Sequence, residues 1–402
     1  MTAVCLQRAK RSPLKITLHL PLGSSFPDIF APHLQTIRAL AVRFMPTIRQ
    51  LMNVFPDFPR SMPSLRSLKL SPIDGENWDR SIDPFKSPIP ALEHLVLEDI
   101  PLYPSLLRLA TLTELTITHE IVQPDFYLDT LLDFLEGNPA LERATLGIPL
   151  TDPPLPSLRR QTTIRNQLRY LLISANKLDA QALISSIPLQ RGADLGIYLE
   201  DEGALNDFLP DISTAHLSNP SSPTFFQLQH GPRAELITLD GPGGRLSLGG
   251  ISLGLGVSFT DLAVLPLANV REVRLYYRKA KRTTTSKPPV FSPSYFPALE
   301  ILTVDCNADI PDVLSVFLSN SPPSPFLKTI GFLNCDLSED FMERLAKFAS
   351  ERQSTPTSTW LYRVQIVNRE GAFPSAASIR RLRKYVKVVE TRIEDKFSTD
   401  LM

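Results

Sequence analysis

The chain has 402 residues, 43% of them hydrophobic, and Lys plus Arg balances Asp plus Glu at 42 each. A neutral balance gives no electrostatic reason to expect nucleic acid or an anionic membrane as the main partner. Three cysteines (Cys5, Cys306, Cys335), none in a CxxC pair, are too few for a disulfide framework, and no window approaches the ~18 uninterrupted apolar residues of a membrane span.

The opening MTAVCLQRAKRS has no apolar core behind its charges and so does not read as a signal peptide. We expect a soluble intracellular protein, cytoplasmic or nuclear. A weak apolar alternation follows in LQTIRALAV (34–42), and TIRQLMNVF (47–55) is a short helix candidate. From Leu65 a stronger pattern sets in: LRSLKL, then LEHLVL from Leu92, LTELTI from Leu112, LERATL from Leu141 and LRYLLI from Leu168. It returns as VREVRL from Val270, LEILTV from Leu299, LKTIGF from Leu327 and LYRVQI from Leu361. The intervals between starts are 27, 20, 29 and 27 residues, and after a long gap 29, 28 and 34. Nine copies at near-constant spacing indicate a repeat array, which is why repeats are sought before domains. Weaker copies, DLGIYL (194–199) and AELITL (234–239), lie in the gap.

Each copy has period two and reads as a short strand with one buried face. MPSL, IPAL, NPAL and FPAL place proline just before the leucines, where its fixed φ and missing N–H suit strand entry and oppose a helix. Helices are expected between strands. DFYLDTLLDFLE (125–136) has helical spacing and stops at Gly137-Asn138-Pro139. SEDFMERLAKFA (338–349) opens on Ser338 and two acids, which favour a helix N-terminus, and DVLSVFL (312–318) is shorter. One strand and one helix cannot bury their apolar faces alone, so neighbours must stack.

Two stretches, LRYLLISANKL (168–178) and LKTIGFLNCDL (327–337), fit a fuller template, L-x-x-L-x-L-x-x-[N/C]-x-L. With it the chain resembles the leucine-rich-repeat family. The resemblance implies an α/β fold: a leucine-rich-repeat solenoid with a concave parallel sheet and outer helices. It further implies that Asn176, Asn307 and Cys335 bond neighbouring backbone inside the coil and are structural. Other units place Ile73, Ile100 or Glu120 there, so the array is irregular. The start, LQRAKRSPLKITLHLPLG (6–23), with PHLQTIRALAV (32–42), FPALEILTVDCN (296–307) and SPFLKTIGFLNCDL (324–337), is similar to fungal F-box leucine-rich-repeat proteins. Of an F-box itself only Leu20-Pro21 and Asp28-Ile29-Phe30 are echoes. We expect one solenoid over 1–402. Residues 1–31 form a cap or linker, 32–370 the repeats with loop insertions near 206–260 and 278–294, and 371–402 a polar C-terminal cap.

If the template leucines are buried, the alternating positions project from the sheet. These are His94, Glu98, Glu114, Thr116, Arg143, Thr145, Tyr170, Glu272, Arg274, Tyr276, Thr303, Asp305, Arg363 and Gln365, the candidate partner-binding residues. Other motifs weigh less. Gly250-Ile251-Ser252-Leu253-Gly254 matches G-x-S-x-G, but no histidine follows His230, which defeats the usual chain order of a hydrolase triad. DGPGGR (240–245) lacks the G-K-[ST] of a phosphate loop and reads as a turn. Cys306 and Cys335 are one repeat apart, without the close pairing of a zinc site. RKAKR (278–282) and RRLRK (380–384) read as solvated faces, nuclear import being the alternative. No catalytic residue, cofactor or metal is implied. The expected function is protein–protein interaction without catalysis; by the resemblance, it is the substrate-recognition part of an F-box ubiquitin ligase receptor. A repeat scaffold unconnected with ubiquitin is the alternative, and a serine hydrolase using Ser252 a remote one.

Overall fold

A computed structural model describes residues 12–20, 28–44, 62–72, 89–100, 109–119, 128–147, 168–187, 192–200, 225–230, 234–241, 244–251, 267–277, 293–306, 324–356, 358–368 and 373–393, with isolated positions between them. The chain divides into two compact units, Met1–Ala193 and Asp194–Met402.

The first unit carries seven described strands: β1 (Leu14–Leu20), β2 (Ile37–Phe44), β3 (Ser67–Pro72), β4 (His94–Glu98), β5 (Glu114–Thr118), β6 (Arg143–Gly147) and β7 (Tyr170–Ala175). They pair in chain order and all in parallel. β1 lies in the segment expected to cap the array. Two α-helices are described, α1 (Leu128–Gly137) and α2 (Lys177–Ser186), and a 3-10 helix (Asp28–Thr36) leads into β2. The burial of β4 alternates between half-exposed and buried, with Leu95 and Leu97 inside. Leu68, Leu115, Leu146, Leu171 and Ile173 continue the same buried layer.

The proline punctuation has a definite geometry. In Met62-Pro63-Ser64-Leu65 the Leu65 N–H bonds the Met62 carbonyl; Leu92 to Ile89, Leu141 to Asn138 and Leu299 to Phe296 repeat the bond. Each is a turn closed by an i→i+3 hydrogen bond, with proline preset at its second place. Both ends of the turn are buried: Met62, Ile89, Asn138 and Phe296 on one side, the template leucines on the other. The residue after each leucine then fastens its coil to the next. The Arg66 carbonyl takes both Glu93 N–H and His94 N–H, and the Glu93, Thr113 and Glu142 carbonyls do the same one coil further on.

Asn138 is the polar member of the buried turn series. Its Oδ1 accepts from the Leu109 N–H at 2.7 Å and its Nδ2 donates to the Phe134 carbonyl at 2.6 Å. The first bond ties one coil's turn to its neighbour's; the second caps the end of α1. Asn138→Ala strands the Leu109 donor in the core and is expected to cost about 2 kcal/mol in a denaturant melt. A loss under about 0.5 kcal/mol would mean that water replaces the amide.

The second unit carries nine described strands: β8 (Asp194–Leu199), β9 (Phe225–His230), β10 (Ala234–Gly241), β11 (Gly244–Ile251), β12 (Glu272–Tyr277), β13 (Ile301–Cys306), β14 (Thr329–Leu333), β15 (Arg363–Asn368) and β16 (Val388–Ile393). From β12 to β16 they pair in chain order and in parallel. Between β8 and β12 the order reverses: β8 pairs β11 in parallel, β11 pairs β10 and β10 pairs β9 antiparallel, and β9 pairs β12 in parallel. The stretch expected as a loop insertion near 206–260 therefore contains a three-stranded meander. AELITL, read as a weak repeat, is its antiparallel middle strand. Within DGPGGR, Gly241 of β10 lies opposite Gly244 of β11 and the Arg245 guanidinium is 2.9 Å from Asp240 Oδ2.

Two α-helices are described here, α3 (Glu339–Ser354) and α4 (Ala376–Leu382). α3 starts where the sequence places it, with Ser338 Oγ accepting the Phe341 N–H, and runs past the expected end at 349. The Glu339 carboxylate accepts from the Ser378 hydroxyl and the Ser375 N–H, tying α3 to the start of α4; these bonds hold its pKa below the usual carboxylate range. Leu302, Val304, Ile330, Phe332, Val364 and Ile366 form the buried layer. The whole is mixed α/β, dominated by parallel strands and compatible with a solenoid-like repeat. Among the described residues no helix is long and apolar enough to cross a membrane.

Candidate partner-binding face

The three turn residues assigned structural roles divide. Cys335 is buried and its Sγ donates to the Val304 carbonyl of the preceding coil at 3.3 Å, while its own carbonyl accepts from Asn368 Nδ2 of the following one. That is the expected ladder, and Asn368, one place short of the template, was missed. Asn176 does something else. Its side chain accepts the Asp179 N–H at 2.9 Å and caps α2, which turns Leu178 out to solvent. Asn307 lies outside the described residues. One place earlier in the template, Asp99 and Asn334 both have φ 52°, a left-handed conformation that short polar side chains tolerate best. Each donates its N–H to a carbonyl of the next strand.

The strand face turned away from the core holds all fourteen candidate residues, each half-exposed or exposed. Register aligns them into lateral rows. In the first unit His94, Glu114, Arg143 and Tyr170 lie side by side on β4 to β7, and Thr116 beside Thr145 forms a second row. The first row is joined end to end. His94 Nδ1 is 3.0 Å from Glu114 Oε2, Arg143 Nε is 3.7 Å from Glu114 Oε1, and the Arg143 guanidinium stands 4.3 Å above the Tyr170 ring. Glu98 takes the Lys69 ammonium at 2.6 Å. An Arg66–Glu93 pair, also 2.6 Å, lies one row toward the strand entries.

In the second unit Arg274, Thr303, Gly331, Gln365 and Glu390 form one row, and Tyr276 and Asp305 share the next. Glu272 Oε1 holds Arg274 at 2.8 Å. Burial alone would lower the Arg274 pKa, but the hydrogen bond and charge of Glu272 outweigh it and the pKa is raised. Gln365 Nε2 donates to Glu390 Oε2 at 3.1 Å, and Arg363 Nε lies 3.8 Å from the other oxygen. Gly331 leaves the row thin at β14: a Cβ there would sit 3.4 Å from Thr303 Oγ1.

Cations and carboxylates alternate along these rows. Exposed pairs of this kind add little to stability, ~0–1 kcal/mol each, so their arrangement has to be explained by something other than folding. They present neither a phosphate track nor a single acidic patch. Their geometry suits a surface that also carries both signs.

The remaining motifs supply no competing site. Gly250 and Ile251 end β11, while Ser252 and the run 278–282 lie outside the described residues. Arg381, on α4, pairs with Glu343 at 3.2 Å, and Arg380, Arg383 and Lys384 are exposed. Among the described residues no three His, Cys, Asp or Glu converge as metal ligands. The sequence reading also passed over aromatic residues that flank template leucines, Phe326, Trp360 and Tyr362, all exposed. Their place beside a buried leucine was the available signal. No family model matches the chain, and no curated protein matches it in sequence.

Proposed function

We propose that the chain is a leucine-rich-repeat protein that recognises a protein partner through the outward strand face, without catalysis. The observation that carries this is the row His94–Glu114–Arg143–Tyr170. It consists of four laterally contacting side chains on four consecutive parallel strands, ordered before any partner arrives. Ordered side chains on a hydrogen-bonded sheet lose little entropy on docking, and Tyr and Arg are favoured anchors. The resemblance of the N-terminal segment and repeats to fungal F-box proteins narrows the role to the substrate-recognition arm of a ubiquitin ligase receptor.

The test is affinity capture by the full chain against Arg143→Glu and Tyr170→Ala, which leave the buried layer untouched. Expected is one partner whose affinity falls about tenfold or more in each variant, with the melting curve unchanged. A partner retained equally by both variants would place recognition elsewhere. Co-purification of an F-box adaptor supports the ligase role, and its failure with an intact full-length chain favours a scaffold. Labelling by a serine-reactive fluorophosphonate that disappears in Ser252→Ala would overturn the non-enzymatic reading.

A further inference from the structure

The entry ends of β14, β15 and β16 carry a surface that the outward-face reading does not use. Leu327 and Leu361 are buried at the start of their coils, so the residues on either side of each point out. Those residues include Phe326, Trp360 and Tyr362, which are 53%, 66% and 46% exposed. They are neighbours. The Thr359 N–H bonds the Pro325 carbonyl at 2.7 Å and the Tyr362 N–H bonds the Lys328 carbonyl at 2.8 Å, which sets Trp360 alongside Phe326. Of the large apolar side chains exposed in the described residues, three thus gather on this one rim.

Such a patch costs solubility unless something covers it. The charge around it tells what could. Lys328 lies beside Tyr362 in the register; the turn into β16 adds exposed Arg383, Lys384 and Lys387, and Lys387 Nζ stands 5.1 Å above the Tyr362 ring. The ring of Tyr362 is thus bordered by cations in a chain whose overall charge is zero. A phosphate backbone laid along this rim would run past the Glu300 carboxylate, which holds Lys328 at 2.8 Å, as well as past the cations. An anionic membrane would press Glu300, at the entry to β13, and Glu390, on β16, against its headgroups. A peptide is narrow enough to lay an apolar anchor on the rings and reach Lys387 with its own carboxylates.

We propose that Phe326, Trp360 and Tyr362, with Lys387, form a docking platform for an acidic peptide segment bearing an aromatic or aliphatic anchor. This platform belongs to the second unit, and its test can fail while the first unit's face still binds. The chain has two tryptophans, so Trp78→Phe leaves Trp360 as the only tryptophan to report. A random-peptide display library would be panned on the full chain at physiological salt. The enriched peptides are expected to be net acidic with a Trp, Phe or Leu anchor, and to shift Trp360 emission to the blue. Their affinity should fall about tenfold in Trp360→Ala and in Tyr362→Ala and measurably in Lys387→Glu. Leu178→Ala, an exposed apolar residue of the first unit, should leave it unchanged. The proposal is overturned if no peptide is enriched, if enriched peptides lack acidic residues, or if they bind Trp360→Ala as well as the parent. It is also overturned if phosphatidylserine vesicles or a single-stranded polyuridine shift Trp360 where peptides do not.

Discussion

Replacing Arg352 by methionine is expected to destabilise the second unit by about 3 kcal/mol, enough to lower its melting temperature by about 10 °C. Arg352 is only 1% exposed, yet its guanidinium faces no carboxylate among its hydrogen-bond acceptors. It donates instead to four backbone carbonyls: Ser324, Pro325, Leu327 and Thr359, at 2.8 to 3.1 Å. These belong to the two turns that lead into β14 and β15. A helix end thus reaches back and holds two successive coils by groups that would otherwise be poorly satisfied in the core. The Phe348 ring, 5.5 Å away, adds a face for the cation.

Burial pulls the Arg352 pKa down to about 10, which still leaves it charged at neutral pH. Methionine keeps the helix propensity and most of the stem, so its effect isolates the guanidinium. Arg352→Lys keeps the charge but cannot span both turns, and should fall between the two. A methionine variant within about 0.5 kcal/mol of the parent would show that the carbonyls find other donors.

Arg352 also explains where the sequence stops being legible. The expected helix stops at 349, three residues short of Arg352. The helix continues because carbonyls from two distant turns converge on one face of its last turn, a juxtaposition with no signature in period or composition. The buried strand layer was readable, since Leu95, Leu115, Leu171 and Leu302 repeat at period two and all lie in the core. The meander was not. A period-two run announces a strand with one buried face but not its neighbour or direction, so AELITL looked like a repeat and is paired antiparallel on both sides. Asn176 shows a local ambiguity: the same side chain can rung a coil or cap a helix, and LRYLLISANKL fits the template while the chain turns into α2. For the candidate face, alternation told which side chains point outward. The joining of His94, Glu114, Arg143 and Tyr170 required register, which the unequal intervals between copies conceal.

Phe332→Ala should rank with the Arg352 change, at ~3–5 kcal/mol, because a fully buried ring leaves a cavity that a stacked sheet cannot close. Phe332 sits between Val304 and Ile366 in the register of β13, β14 and β15. Its ring meets that of Phe341 edge to face, with centroids 5.5 Å apart and planes at 88°. Phe341 opens α3, and its N–H is the one that Ser338 caps. One side chain therefore links three strands to the first turn of the helix that carries Arg352. The double change with Phe341→Ala should recover a coupling of about 0.5–1.5 kcal/mol, and Phe332→Leu, which fills most of the space, should lose less than half of the alanine effect.

Hydrogen exchange separates two ways of losing that stability. If the coils share one interlocked layer, amides of β13, β14 and β15 and of the first turn of α3 all exchange faster in Phe332→Ala, and by similar factors. If α3 alone detaches, its amides quicken while the strands keep their protection. The second result would mean that the repeats stand without their helix, and that the packing across coils described for this unit does not hold it together.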